Sequence, residues 1–173
     1  SQEEKLAQVK STDRGAAIGI GKYWAAGANV RISFIGGTPA QREQVQRVSR
    51  EWTQHANLNF VFTELADSDV RVAFDVNGGS WSYVGTDATA IPATAPTMNL
   101  AWTERSNILH EFGHVLGLIE EHQNPNAGVK WNIPLVLKEL SGPPNLWPEA
   151  VIQQRVLKVY PPKLLGEYRP FDP

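Results

Sequence analysis

The spacing of apolar residues over the first hundred positions predicts a sheet with a helix crossing between its first strands. Val30, Ile32 and Phe34 alternate with other side chains, which is the two-residue period of a strand over residues 29–35. Four further short stretches rich in β-branched and aromatic residues predict strands at residues 58–63, 70–76, 81–86 and 97–102. We therefore expect five strands, and the strand, helix, strand succession implies parallel pairing.

The crossing helix is predicted over residues 39–55. Thr38 followed by Pro39 is a helix start signal. Three apolar residues then recur at spacings of three and four and form one core-facing stripe: Val45, Val48 and Trp52. His55 stands at the predicted end, where a cation is favoured, so we assign it a capping or surface role.

The ends of the chain differ in character from this middle part. Residues 1–21 predict a surface arm, and residues 22–173 are interpreted as one domain. An upper subdomain is expected over residues 22–117 and a partial lower subdomain over residues 118–173. After Gln123 the chain becomes rich in proline and tryptophan, and short helices are expected near residues 134–140 and 148–160.

Composition excludes several classes of function. The formal charge of -2 and the pI near 6.1 give no basic surface for a nucleic acid. No apolar stretch approaches the roughly 20 residues that span a bilayer, so we expect no membrane association, and we expect a monomer. The absence of cysteine means that any metal site must use histidine and carboxylate ligands.

The central motif is H-E-F-G-H-V-L-G-L-I-E-E-H, from His110 to His122. On a helix, His110 and His114 would differ by about 40° and 6 Å, so both imidazoles could bind one zinc ion. Glu111 could accept a proton from a water on that metal. A structural role as packed core residues is the alternative, and the clustering of three of four histidines within thirteen residues favours the metal.

Gly117 decides how the site could be completed. A straight helix would carry residue 120 about 15 Å along the axis from residue 110, too far to share a metal. A glycine can adopt positive φ, end the helix and turn the chain back. Either Glu120 or His122 could then supply the third ligand.

These residues resemble the metzincin zinc peptidases, and within them the astacin-like bacterial and fungal proteins. The motif H-E-x-x-H-x-x-G-x-x, the run E-E-H-Q-N-P, the upstream K-Y-W at residues 22–24 and G-G-S-W-S-Y-V-G-T-D-A at residues 78–88 carry the resemblance, which covers residues 21–173. It implies an α/β (α+β) zincin fold: a twisted five-stranded mixed sheet, two long helices and a small C-terminal lobe.

The resemblance also implies function. An antiparallel edge strand would align a peptide or protein substrate by backbone pairing, through five residues: Trp81, Ser82, Tyr83, Val84 and Gly85. Zn²⁺ would be the cofactor, Glu111 the general base and acid, and peptide bonds the target. Relatives of this kind are mostly exported, so a secreted, extracellular protein is expected.

Two features depart from the family pattern. Glu120 stands where a third histidine is usual; a carboxylate can bind zinc, and we favour Glu120 over His122. The methionine-containing turn expected under the zinc is missing, and Met98 lies upstream of the motif. Either the chain is truncated, which we favour, or it is a shortened relative in which Tyr160 or Tyr168 substitutes.

Three functions follow from this pattern. The leading hypothesis is a zinc-dependent endopeptidase. The alternative is a catalytically impaired or inactive relative that serves as a protein- or peptide-binding module. A purely structural zinc site ranks last, because such a site has four protein ligands and no need of Glu111.

Overall fold

The computed structural model describes residues 19–143 and 146–165 of the 173-residue chain. Chain contacts define a larger unit that ends at Ile119 and a smaller one that begins at Glu120. The predicted N-terminal arm, residues 1–21, lies mostly outside the described residues. The predicted division into arm, upper subdomain and lower subdomain stays a prediction.

A five-stranded mixed sheet forms the centre of the larger unit. Its strands are β1 (Asn29–Ile35), β2 (Asn59–Phe62), β3 (Val70–Ala73), β4 (Trp81–Ser82) and β5 (Met98–Asn99). Their order is β2-β1-β3-β5-β4; the first four pair in parallel, and β4 is the antiparallel edge strand on β5. The prediction of five strands with parallel pairing at the start is confirmed, as is the antiparallel edge.

Four α-helices accompany the sheet in the described part of the chain. They are α1 (Pro39–Ser49), α2 (Arg105–Val115), α3 (Ile133–Ser141) and α4 (Glu149–Ile152). α1 begins with the predicted signal: the Thr38 hydroxyl accepts from the Gln41 amide at 3.2 Å, and the Gln41 side chain accepts from the Thr38 amide at 2.8 Å. This reciprocal capping fixes the start of the helix.

One face of the sheet is buried against α1 and α2. Val30, Ile32 and Val72 of the sheet are fully buried, as are Ile108 and Phe112 of α2. The spacing of the α2 residues is four, which places them on one face of that helix. Burial of this face holds α2 rigidly beneath the sheet, and α2 is the helix that carries the metal motif.

Two predicted elements were wrong in extent. The helix predicted to residue 55 ends at Ser49, and Trp52–Gln54 forms a separate 3₁₀ turn in which His55 occupies the C-terminal position and is exposed. The strand predicted over residues 81–86 has only two residues in the ladder, because Gly85 has φ of 53° and begins a 3₁₀ turn over Gly85–Ala90. A residue with positive φ departs from regular strand geometry, so the chain turns away from the sheet at Gly85.

The remaining predicted bounds shift by a few residues. β2, β3 and β5 are shorter than predicted, and α3 extends one residue beyond each end of the predicted segment 134–140. The segment 148–160 forms α4 followed by a π-helical turn, Gln153–Leu157. The hydrophobic pattern predicted that these strands and helices exist. It did not predict their terminal residues, which depend on contacts with other parts of the chain.

Candidate metal centre

Two tryptophan side chains anchor the helix that carries the motif. The indole nitrogen of Trp52 donates to the Leu109 carbonyl at 2.9 Å, and that of Trp24 donates to the Val115 carbonyl at 2.8 Å. Both residues pack against the hydrophobic core. The helix is therefore held in the middle and at its C-terminal end, so the residues on its open face have defined positions.

Gly117 ends this helix as predicted. Its φ is 100°, the Gly117 amide donates to the His114 carbonyl at 2.9 Å, and the Leu118 amide donates to the Gly113 carbonyl at 3.1 Å. These two bonds form a Schellman motif, which requires the left-handed residue that glycine supplies. The chain consequently turns directly after the second histidine of the motif.

That turn brings three possible ligands together. Each of three residues, His110, His114 and Glu120, offers one ligand atom, and these atoms all lie within 4.8 Å of one another. The two imidazole rings have centroids 4.8 Å apart and are nearly perpendicular, at 88°. His110 is exposed and the other two are half-buried, so the group faces solvent on one side.

The donor set fits zinc. Two imidazoles and one carboxylate are a ligand set of catalytic zinc sites, which keep the fourth position for water or substrate. Ligand atoms around a tetrahedral zinc lie roughly 3.4 Å apart, so atoms no more than 4.8 Å apart can close on one ion by side-chain rotation. Three ligands within the described residues match an open site better than a closed structural one.

His114 is oriented by the turn itself. Its Nδ1 lies 2.9 Å from the Leu118 carbonyl oxygen. A carbonyl only accepts, so Nδ1 must carry the hydrogen and Nε2 keeps the lone pair that a metal needs. The same glycine turn thus positions Glu120 and selects the tautomer of His114.

His122 takes a different position. Its Nε2 lies 3.2 Å from the Arg155 carbonyl oxygen, and its ring packs edge-on against Trp131 with centroids 5.7 Å apart. Its Nδ1 is 4.0 Å from a Glu120 carboxylate oxygen. His122 is not in the ligand group, and it borders the residue that is.

The remaining predicted site residues are Glu111 and the five residues of the substrate strand. Glu111, next to His110, is only 4% exposed. Of the five residues of the predicted substrate strand, only Trp81 and Ser82 form β4. The Tyr83 amide donates to the Thr97 carbonyl at 3.0 Å just beyond the ladder, Val84 is extended, and Gly85 begins the 3₁₀ turn. β4 packs against α2, so an edge strand and the motif helix are neighbours.

Some contributors to the site escaped sequence reasoning. The Leu118 carbonyl leaves no trace in the sequence, because every residue has one. Trp52 was predicted to face the core and Trp24 belongs to the K-Y-W run, but neither pattern predicts that their indoles donate to carbonyls of α2. Tyr160, one of the two tyrosines considered as a substitute for the methionine-containing turn, donates its amide to the Gln123 carbonyl at 2.9 Å, and its ring centroid lies 4.6 Å from the Lys158 ammonium. The other, Tyr168, lies outside the described residues.

A mixed five-stranded sheet over a helix that carries an H-E-x-x-H motif, ended by a glycine turn, defines a metzincin-type metallopeptidase fold. The sequence profile of the astacin peptidase family matches residues 18–130. The chain belongs to the astacin family of zinc peptidases.

Individual relatives agree with this assignment. A solved structure of myroilysin is 33% identical with a TM-score of 0.82, over 90% of this chain and 79% of that one. The high choriolytic enzyme 1 of Oryzias latipes, a hatching enzyme zinc-protease, shares the fold at 16% identity and a TM-score of 0.52, over 69% of this chain and 62% of that one.

Longer proteins also match. Tolloid-like protein 1 of Mus musculus is 28% identical over 164 residues, which are 92% of this chain and 15% of that protein. The chain thus spans a small part of the length of the tolloid-like proteins. Among the described residues, no helix has the length and apolarity needed to cross a membrane.

Proposed function

We propose that this chain is a zinc-dependent endopeptidase in which His110, His114 and Glu120 hold the metal and Glu111 moves the proton. The observation that carries the proposal is the group formed by these three donors, two on the motif helix and one just after its terminal turn. The chain that holds them belongs to a family of zinc peptidases. Zinc, when bound, would polarise the scissile carbonyl and acidify the attacking water.

Two features support Glu111 as the residue that would move the proton. It neighbours His110 in sequence, and its side chain is buried, so its carboxyl group works in surroundings with little bulk water. As a base it would take a proton from the attacking water, and as an acid it would give that proton to the leaving amine. β4 would meanwhile pair with the backbone of an extended substrate through residues 81–85 and hold the scissile bond in register.

The first prediction concerns Glu111. Changing Glu111→Gln preserves shape and zinc binding but removes the proton acceptor, so kcat should fall by about 10²- to 10⁴-fold. Cleavage of unfolded casein, with zinc content measured by elemental analysis on the same samples, checks this. Retained cleavage with zinc bound would contradict the mechanism.

The second prediction separates the two possible third ligands. Glu120→Ala should weaken zinc binding, measured by chelator competition, by more than the roughly 10- to 100-fold that an outer-shell partner contributes, whereas His122→Ala should stay within that range. The ranking follows from the ligand group, which includes Glu120 and not His122. A larger loss from His122→Ala would assign the ligand to His122 instead.

A binding module is the second candidate function, and the carboxylate at position 120 favours it. An anionic ligand lowers the net charge at the metal and so weakens activation of water. Zinc bound at one per chain, with no chelator-sensitive cleavage of casein, would support this candidate over the peptidase.

Export and a monomeric state complete the proposal. Export rests on the family resemblance, and the monomeric state is an expectation from the sequence alone. Detection of the protein in the culture medium of its source, and its mass in solution by light scattering, test them.

A further inference from the structure

Asn107 shares a helix face with the residues of the proposed site. It precedes His110 by three positions and Glu111 by four on α2, and His114 follows one turn later. On a helix these four residues fall within an arc of about 100°. The side chain of Asn107 therefore projects from the same face, one turn before the first histidine.

The amide nitrogen of Asn107 uses both of its hydrogens. Nδ2 donates to the Ser80 hydroxyl oxygen at 2.9 Å and to the Trp102 carbonyl oxygen at 2.6 Å. The Trp102 carbonyl can only accept, which fixes the orientation of the amide: the nitrogen, and not the oxygen, faces these partners.

Ser80 is the residue immediately before β4. Besides the bond from Asn107, its hydroxyl oxygen accepts from the Ala101 amide at 3.2 Å, just after β5. One hydroxyl group thus joins the start of the edge strand, the end of its neighbour and the motif helix. We call the contact between Ser80 and Asn107 the 80–107 bridge.

The edge strand packs against the helix, but apolar packing alone does not fix its height along the helix axis. β4 contributes only two residues to the ladder, and the chain contains no cysteine that could cross-link it. Asn99 holds the preceding loop by donating to the carbonyls of Asp75 and Gly79, but these contacts tie the loop to β5 and not to α2. The 80–107 bridge is a direct polar link from β4 to the helix.

We propose that Asn107 is a positioning residue that sets the edge strand at the correct height above the metal site for extended substrates. This inference rests on the proposed peptidase function. The 80–107 bridge would hold β4 so that a substrate paired with its backbone places the scissile bond at the metal site. Displacement of a substrate by a fraction of an ångström costs catalysis steeply, so loss of the bridge reduces the advantage of long substrates.

The test compares two peptides with the same scissile bond. One ends close to the bond, and the other extends far enough on one side to pair with β4. Asn107→Ala should lower kcat/KM for the long peptide about tenfold, mainly through kcat because the reacting bond is displaced, and should change that for the short peptide less than about twofold. Asn107→Leu, close in shape but without a polar group, should behave like Asn107→Ala.

Ser106→Ala is the matched control, because Ser106 is exposed in the same helical turn and should leave both peptides unaffected. Ser80→Ala should reproduce the selective loss, and the double variant with Asn107→Ala should lose less than the sum of the two single variants, since both remove the same bridge. Zinc affinity, measured by chelator competition, should match wild type in every variant.

Backbone hydrogen exchange gives a readout independent of turnover. The Tyr83 and Ala101 amides should exchange faster in Asn107→Ala and as in wild type in Ser106→Ala. Equal losses for both peptides, or no loss for either, would overturn the inference while leaving the peptidase intact. A wild-type chain that binds zinc but cleaves neither peptide would overturn the proposed function and this inference with it.

Discussion

At the scale of the residue, Gly85 has the least room for a side chain among the glycines of the described part of the chain. Its φ is 53°, and a Cβ atom there would lie 1.5 Å from the Lys22 carbonyl oxygen and 3.3 Å from the Cα of Gly117. The Lys22 carbonyl also accepts from the Thr86 amide at 2.8 Å, so it cannot move away without losing that bond. Gly85 therefore lets three backbone segments meet beside the turn that ends α2.

Gly85→Ala should destabilise the protein by clearly more than the roughly 1 kcal/mol expected from backbone strain alone. Gly79→Ala is the matched control: φ is 64° there as well, but a Cβ would meet nothing within 4 Å. Urea unfolding of both variants checks this prediction. Equal losses would show that strain, and not the close approach to Lys22, decides the need for glycine.

At the scale of the element, one ion pair ties β1 to the start of β3. Asp69 accepts from the Arg31 amide at 2.8 Å and from the Arg31 guanidinium at 2.9 and 3.2 Å. Burial raises the pKa of Asp69, but the hydrogen bonds and charge of Arg31 outweigh burial, so its pKa is lowered overall. The carboxylate is thus favoured in the folded state, and the pair supports the parallel strands on either side of it.

Asp69→Asn should reduce stability at neutral pH and remove part of the acid lability. A group whose pKa is lowered by folding stabilises the protein above its unfolded pKa of about 3.9, and this stability is lost as pH falls through the lower folded pKa. The difference in unfolding free energy between wild type and Asp69→Asn should therefore shrink below about pH 4. Asp67→Asn, an exposed carboxylate two residues away, is the control and should show little of this effect.

At the scale of the whole molecule, metal binding and folding should be linked. The proposed ligands come from α2 and from the chain just after its terminal turn, and an unfolded chain would not hold them within 4.8 Å of one another. A ligand that binds only the folded state stabilises it by about 2.7 kcal/mol at a hundredfold excess over its Kd. Zinc should consequently stabilise the fold as well as enable chemistry.

Thermal unfolding should shift upward with zinc and downward with a chelator. His114→Gln should lose this shift, because it removes one ligand. His55→Gln should keep it, because His55 is exposed at the end of a 3₁₀ turn and outside the ligand group. A loss of the shift in His55→Gln would contradict the surface role assigned to His55.

Features that depend on near neighbours could be predicted from the amino-acid sequence. The alternation of Val30, Ile32 and Phe34 predicted β1 to the residue, and Thr38 with Pro39 predicted the start of α1. The need for a turn at Gly117 followed from the length of a helical rise, and its φ of 100° confirms the turn. Periods, caps and breakers are local properties, so a sequence reports them directly.

Features that depend on contacts between distant residues required the folded chain. The turn at Gly85 faces Lys22, the helix carbonyls of Leu109 and Val115 meet tryptophans from other elements, and the Leu118 carbonyl orients His114. Most of these partners are backbone groups, which all residues share and no pattern distinguishes. The sequence named the residues of the candidate site and the turn at Gly117, but from the helical geometry alone it left Glu120 and His122 both open as third ligand. Only the folded chain groups Glu120 with His110 and His114, because His122 packs against Trp131 and the Arg155 carbonyl.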